Sequence, residues 1–296
     1  MANFWRIYNN KLYDIGQTDQ LGFPISDPSY IPDEYLEQQK FVILRTCFGI
    51  GDWGIITAMP RLLKQKYPNC KVYIPTVSLL EHLFGTRDLF DNTYSTVLSL
   101  FNNNPYVDGT IDEVPGDIFH DHYRIYSDKC INTPLLEQML KFWQFTEDEM
   151  IDSQPELYWS PAEIKAGNEI IQLYTNNNEF GSLLISNRFG TQFGKHDESA
   201  LLNDITKITK ILKLNEYPYF YWTYMPINEL PFNFINKALD MRNMSLRMQL
   251  YIKSKSKINI ANQCGTNHIV VRYSDTYEVQ RQQILGLNFV KDIQYL

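Results

Sequence analysis

The segment FVILRTCFGIGDWGIITAMPRLLKQKYPNCKVYIPT, residues 41–76, constrains the fold of this chain more than any other. It opens with a short β-rich run, FVILRT, and passes into the glycine loop FGIGDWG. Ile55, Ile56, Met59, Leu62 and Leu63 then recur at helical spacing, and KVYIPT reads as a second strand after YPNC ends the helix. A strand, a crossover helix and a second strand make a βαβ unit, which implies a parallel sheet. LLIS at 183–186 begins a second such unit. It is followed by the loop SNRFGTQFGKHDES, a helix with Leu201, Leu202, Ile205, Ile208 and Leu212 on one face, and the strand YFYW at 219–222. The expected class is therefore α/β.

A chain of 296 residues with 44% apolar content can build two cores, so two domains are expected. Asn, Glu and Gly interrupt the pattern near 176–182, which puts the boundary between 178 and 179. Residues 134–145 and 161–174 read as helices, the second with Ser160 as N-cap and Pro161 at its first position. The Asn clusters at 102–104 and 176–178 read as loop tips. Residues 1–40 show no periodicity and are expected to pack as an arm on the body or on a partner subunit.

Composition removes several function classes. No apolar run reaches the roughly 18 to 20 residues of a membrane-spanning helix, and the N-terminus lacks the apolar core of a signal peptide. The protein is expected in the cytosol, with at most peripheral membrane contact. A formal net charge of -7 argues against a nucleic-acid partner, because phosphate backbones are bound by excess Lys and Arg. The scattered Cys47, Cys70, Cys130 and Cys264 fit neither a disulfide framework nor a zinc site. Richness in Asn, Tyr, Ile and Lys fits an AT-rich genome, such as that of a virus or phage.

Four stretches carry candidate chemistry. Asp52 follows two glycines at the carboxyl end of the first strand, where open α/β sheets bind ligands. It is read either as a cap of a structural turn or as an acidic group at a ligand. In SNRFGTQFGKHDESALL, 186–202, a strand, a glycine-containing loop and a helix have the form that receives phosphate, with Arg188 and Lys195 able to reach an anion. In NQCGTNHIVV, 262–271, backbone N–H groups around Gly265 can cradle phosphate. His268 in that stretch is read as a ligand-site group or as a core or capping histidine. Asp117, His120, Asp121 and His122 in GDIFHDHYR allow a metal site, the edge of an acceptor site, or plain structure.

In order and spacing these stretches resemble family nine of the glycosyltransferases, the lipopolysaccharide heptosyltransferases. The resemblance runs from residue 41 to about 268. It is carried by Gly51, Asp52, Pro60, Arg61, Lys64, Lys66, Tyr67 and Pro68, by the "NPYVD" segment Asn104 to Asp108, by the loop with Lys195, and by Gly265, Thr266, Asn267 and His268 of a "DTGxxH" loop. It implies the GT-B architecture, with two Rossmann-like domains whose parallel sheets face a central cleft. It also implies transfer of a sugar from a nucleotide-sugar donor to a glycan acceptor with inversion, and with no metal or other cofactor.

In that scheme Asp52 is the catalytic base, and Gly49, Gly51 and His122 lie on the acceptor side. Arg188, Lys195, Gln263, Gly265, Thr266, Asn267 and His268 hold the donor. The chain departs from the family at Gln263, which stands where the family has aspartate, and at Ile269, Val270 and Val271, which favour strand as much as helix. The family's ribose-binding carboxylate is matched by Glu229 only with a shift. Two rival readings stay open: a polysaccharide pyruvyltransferase, and an inactive GT-B scaffold that binds or assembles.

Overall fold

The computed structural model describes residues 4–8, 11–16, 40–43, 49–85, 93–113, 118–120, 136–137, 140, 145–185, 219–223, 239–240, 244–262, 265–279 and 292–295. By contact density the chain divides into two units, with the division between Tyr158 and Trp159.

In the first unit, β1 (Phe4–Tyr8) and β2 (Lys11–Gly16) form an antiparallel hairpin, and β1 pairs antiparallel with β6 (Ile118–His120). Residues 1–40, read from sequence as an arm without periodicity, thus contribute two strands that pair with a strand of the first unit. The other sheet of this unit holds β3 (Lys40–Val42), β4 (Lys71–Pro75) and β5 (Gly109–Ile111) in that order, all parallel. This is the first βαβ unit expected from sequence.

Its crossover is two helices, α1 (Ile50–Gly54) and α2 (Met59–Lys66), with residues 55–58 as a turn between them. Pro60 explains the break. Proline has no N–H to give and its ring clashes with the carbonyl four residues back, so it sits well only in the first turn of a new helix. Trp53, Ile55, Ile56, Leu62 and Leu63 are all buried, so the apolar periodicity survives the break. Two further helices, α3 (Val77–Phe84) and α4 (Tyr94–Leu98), lead towards β5, each opened by a threonine whose hydroxyl accepts a backbone N–H. The loop at 102–104 turns at Asn103 with φ 62°, a conformation that asparagine tolerates.

The second unit opens with α5 (Pro161–Thr175), capped as the sequence indicates: Ser160 accepts from the Glu163 N–H, and Glu163 reaches back in a capping box. The helix ends at Asn176, left-handed with φ 51° and ψ 38°. Then come β7 (Gly181–Ile185), β8 (Tyr219–Thr223), β9 (Leu239–Asp240), α6 (Leu246–Lys255), β10 (Ile258–Asn262), α7 (Gly265–Val270), β11 (Asp275–Val279) and β12 (Ile293–Tyr295). The six strands lie in the order β12-β11-β10-β7-β8-β9 and every pair is parallel. The sheet starts at its middle, on β7, winds outward to β9, and returns to β10 on the other side of β7. That is the doubly wound order of a dinucleotide-type sheet, with its reversal of direction between β7 and β10.

The division at 158/159 replaces the boundary expected at 178/179. The reason is α5, which packs on α6 of the second unit. Gly167 lies against the Tyr251 ring, the Tyr251 hydroxyl donates to Asn168 Oδ1 at 2.8 Å, and the Arg247 guanidinium makes a two-pronged contact with the Glu163 carboxylate. Trp159 meets the Tyr251 ring edge to face at 5.4 Å, with the Arg247 guanidinium 5.0 Å from its centre. These partners lie some eighty residues away in the chain, beyond the reach of a local break signal.

Candidate functional site

Asp52 is the third residue of α1, the helix that follows β3 in the chain, and is partly exposed. The helix starts at Gly49, which has an ordinary extended conformation (φ -68°, ψ 137°) and no side chain to cap with. A Cβ on residue 49 would lie 2.5 Å from Asp52 Oδ2, so a side chain there would have to displace the carboxylate. Asp52 is therefore not the N-cap that one reading of the sequence allowed. It sits inside the first turn, where the helix dipole favours a carboxylate, with its oxygen folded back over the glycine. Gly51 is partly exposed beside it.

The basic stretch after Asp52 is engaged in structure. Arg61 is buried, and its Nε donates to Glu156 Oε2 at 2.7 Å while Nη2 donates to the Asp152 carbonyl at 2.7 Å. Lys64 pairs with Asp108 at 2.7 Å, and Lys66 pairs with Glu149 at 2.7 Å over the Phe145 ring. The segment 104–108 has an equally structural explanation. Asn104 Oδ1 accepts the Tyr106 N–H at 3.0 Å, shaping the turn, and Asp108 Oδ2 accepts the Val72 N–H at 2.8 Å at the start of β4. Burial pushes the Asp108 carboxyl up, but Lys64, the Val72 N–H and Lys71 outweigh it and hold the carboxyl down at about 2. Cys70, free and buried just before β4, has its thiol pushed up to about 11 by that burial, as suits an inert core thiol.

In the second unit the topology brings together two stretches that are far apart in sequence. β7 and β10 are parallel neighbours on either side of the reversal point, in the register Ala261 to Leu184. β7 ends at Ile185 and β10 ends at Asn262, with α7 following β10 in the chain. In open α/β sheets this is where ligands bind, beyond the carboxyl ends of the strands at the reversal point. Arg188, Lys195, Gln263, Glu229, His122, Asp117 and Asp121 lie outside the described residues, and His120 ends β6.

The residues 265–270 form the short helix α7 where the sequence favoured strand as much as helix. Ile269 and Val270 are wholly buried, so packing overrides the β-branched preference. Gly265 and Thr266 remain partly exposed at its start. Asn267 and His268 turn inward instead. Asn267 Oδ1 accepts from the buried ammonium of Lys253 at 2.7 Å, and its amide donates to the Tyr277 carbonyl at 3.4 Å. His268 Nε2 lies 3.2 Å from Glu278 Oε1, with both side chains buried. His268 thus has the buried surroundings that its core reading describes. The sequence reading missed Lys253 and Glu278, because neither has a local signal: each is a charged residue in a pattern that marks it as solvated.

Among the described residues no group of three or more His, Cys, Asp or Glu is disposed to hold a metal ion, and no helix is long and apolar enough to cross a membrane. No protein-family model matches the sequence, and no curated protein sequence matches it. Solved structures do match. A family 9 glycosyl transferase from Veillonella parvula DSM 2008 superposes with a TM-score of 0.56 at 8% identity, over 87% of this chain and 85% of that one. The ADP-heptose lipopolysaccharide heptosyltransferase II of E. coli gives a TM-score of 0.46 at 10% identity, over 86% and 90%. With its two units and parallel sheets, the chain has the fold of the family 9 structure, which is the GT-B architecture expected from the sequence.

Proposed function

We propose that this protein is a cytosolic glycosyltransferase that moves a sugar from a nucleotide-sugar donor to a hydroxyl of a glycan acceptor. The observation that carries this reading is the adjacency of β7 and β10 at the reversal point of a doubly wound sheet, since the two candidate phosphate stretches follow these strands in the sequence. Arg188, Lys195 and the amides at Gly265 and Thr266 hold the donor diphosphate, and Gln263 lies in the same loop. The first unit supplies the base. Asp52 takes the proton of the acceptor hydroxyl as the oxygen attacks the anomeric carbon, the bond from that carbon to the diphosphate breaks, and the configuration inverts in one step. The leaving diphosphate gains negative charge, which Arg188, Lys195 and the loop amides offset without a divalent ion.

A screen of nucleotide sugars by thermal shift tests the reading, since a ligand at 100 times its dissociation constant adds about 2.7 kcal/mol of stability. Stabilisation by a nucleoside diphosphate and its sugar is expected. No shift with any of them, together with a shift from phosphoenolpyruvate, would move the pyruvyltransferase reading ahead. A second reading, a binding or assembly protein on the same fold, is favoured by the inward side chains of Asn267 and His268. It predicts that nucleotide sugars leave the melting temperature unchanged.

A further inference from the structure

We propose that Thr57 is the residue that positions Asp52, and that it draws its hold from the strap 152–158; this rests on Asp52 being the base. α1 has five residues and is too short to persist by its own hydrogen bonds. Its backbone is closed by Trp53 N–H to the Gly49 carbonyl at 3.2 Å and Ile55 N–H to the Gly51 carbonyl at 3.0 Å. Tertiary contacts must supply the rest. Trp53 is wholly buried, edge to face with Phe101 at 6.3 Å, and this fixes one side of the turn. Thr57 fixes its end. The Thr57 hydroxyl donates to the carbonyl of Gly54, the last residue of α1, at 2.7 Å, and accepts the Glu156 N–H at 3.0 Å.

The strap is itself anchored. Glu156 Oε2 accepts from Arg61 at 2.7 Å, Oε1 accepts from the Tyr158 hydroxyl at 2.9 Å, and the Asp152 carbonyl accepts from Arg61 at 2.7 Å. Thr57 is 0% and Glu156 4% exposed, so both hydroxyl bonds are shielded from water. A valine has the shape of threonine and fills the same space, but it leaves the Glu156 N–H without this acceptor and the Gly54 carbonyl without this donor. The Thr57 N–H also donates to the Gly54 carbonyl, at 3.2 Å, so what the hydroxyl alone adds is the tie from the end of α1 to the strap, and with it the hold on Asp52, two residues earlier, whose carboxylate lies over Gly49.

The test uses the full chain with Thr57→Val and Thr57→Ser. Amide exchange at Trp53 and Ile55 is followed by NMR, with Val72 and Ile74 of β4 as internal reference. The proposal expects exchange about tenfold faster at Trp53 and Ile55 in Thr57→Val, little change in β4, and near wild-type rates in Thr57→Ser. Unchanged α1 amides in Thr57→Val, or a parallel rise in α1 and β4, would overturn it. With a donor that the wild type uses, Thr57→Val should lower kcat with the donor KM unchanged, and Thr57→Ser should recover it. An equal loss in both variants would overturn the proposal. A wild type that transfers no sugar would sink the base reading alone, and the exchange rates would still decide whether Thr57 holds α1.

Discussion

Gly167 and Asp52 show what one residue settles in each unit. A Cβ at 167 would run into the ring of Tyr251, a side chain only 1% exposed that has nowhere to swing. Alanine favours a helix over glycine by about 1 kcal/mol, yet overpacking a close contact costs about 1 to 3 kcal/mol. Gly167→Ala is therefore expected to destabilise the second unit on balance, visible as a lower denaturant midpoint. A raised midpoint would mean that α5 and α6 are not in this contact. For Asp52 the informative change is Asp52→Asn, which keeps the size of the side chain but cannot take a proton. Transfer should fall by about 10² to 10⁴ with donor affinity and melting temperature nearly unchanged. Full activity in this variant would refute Asp52 as base.

Helix α5 depends on Glu163, which serves both its capping box and the contact with Arg247. Arg247 first, then the Ser160 N–H and hydroxyl, hold the Glu163 carboxyl down at about 2 against the opposing effect of burial. An unfolded glutamate titrates near 4.5, so the folded form binds its proton less readily. The stability that this carboxylate contributes is full above about 4.5 and is lost as pH falls towards about 2. Solvent screening at a quarter-exposed side chain reduces it to about 1 to 2 kcal/mol. Glu163→Gln should therefore lower stability at pH 7 and flatten the acid limb between pH 4.5 and 2. An acid limb identical to wild type would show that the pair with Arg247 does not persist in solution.

For the molecule as a whole, the proposed chemistry assigns the base to one unit and the donor contacts to the other. Lys195→Ala should weaken nucleoside diphosphate binding by about 1.5 to 3 kcal/mol, as measured by calorimetry, without altering the fold. Unchanged affinity would return Lys195 to the solvated surface. EDTA should leave transfer nearly unaltered, and a strict manganese or magnesium requirement would count against the mechanism as written.

Much of this architecture follows from local pattern. The alternation of β-rich runs with helical periodicity, Ser160 and Pro161 opening a helix, and asparagines at positive φ all rest on short-range sterics and hydrogen bonding, which any stretch of sequence displays. The sequence alone therefore determined that the chain is α/β, with the βαβ unit of β3 and β4, the strands β7 and β8 of the second expected unit, whose helix at 201–212 lies outside the described residues, and an acidic residue after the first strand. Only the tertiary structure decided which strands are neighbours, and so brought the ends of β7 and β10 together. It assigned α5 to the second unit through Tyr251 and Arg247, and it used Lys253, Glu278, Asn267 and His268 as interior groups. It also made a short helix of Gly265–Val270 by burying Ile269 and Val270. The physical reason is the same in each case: the free energy comes from burial and from partners remote in the chain, and no local pattern records them.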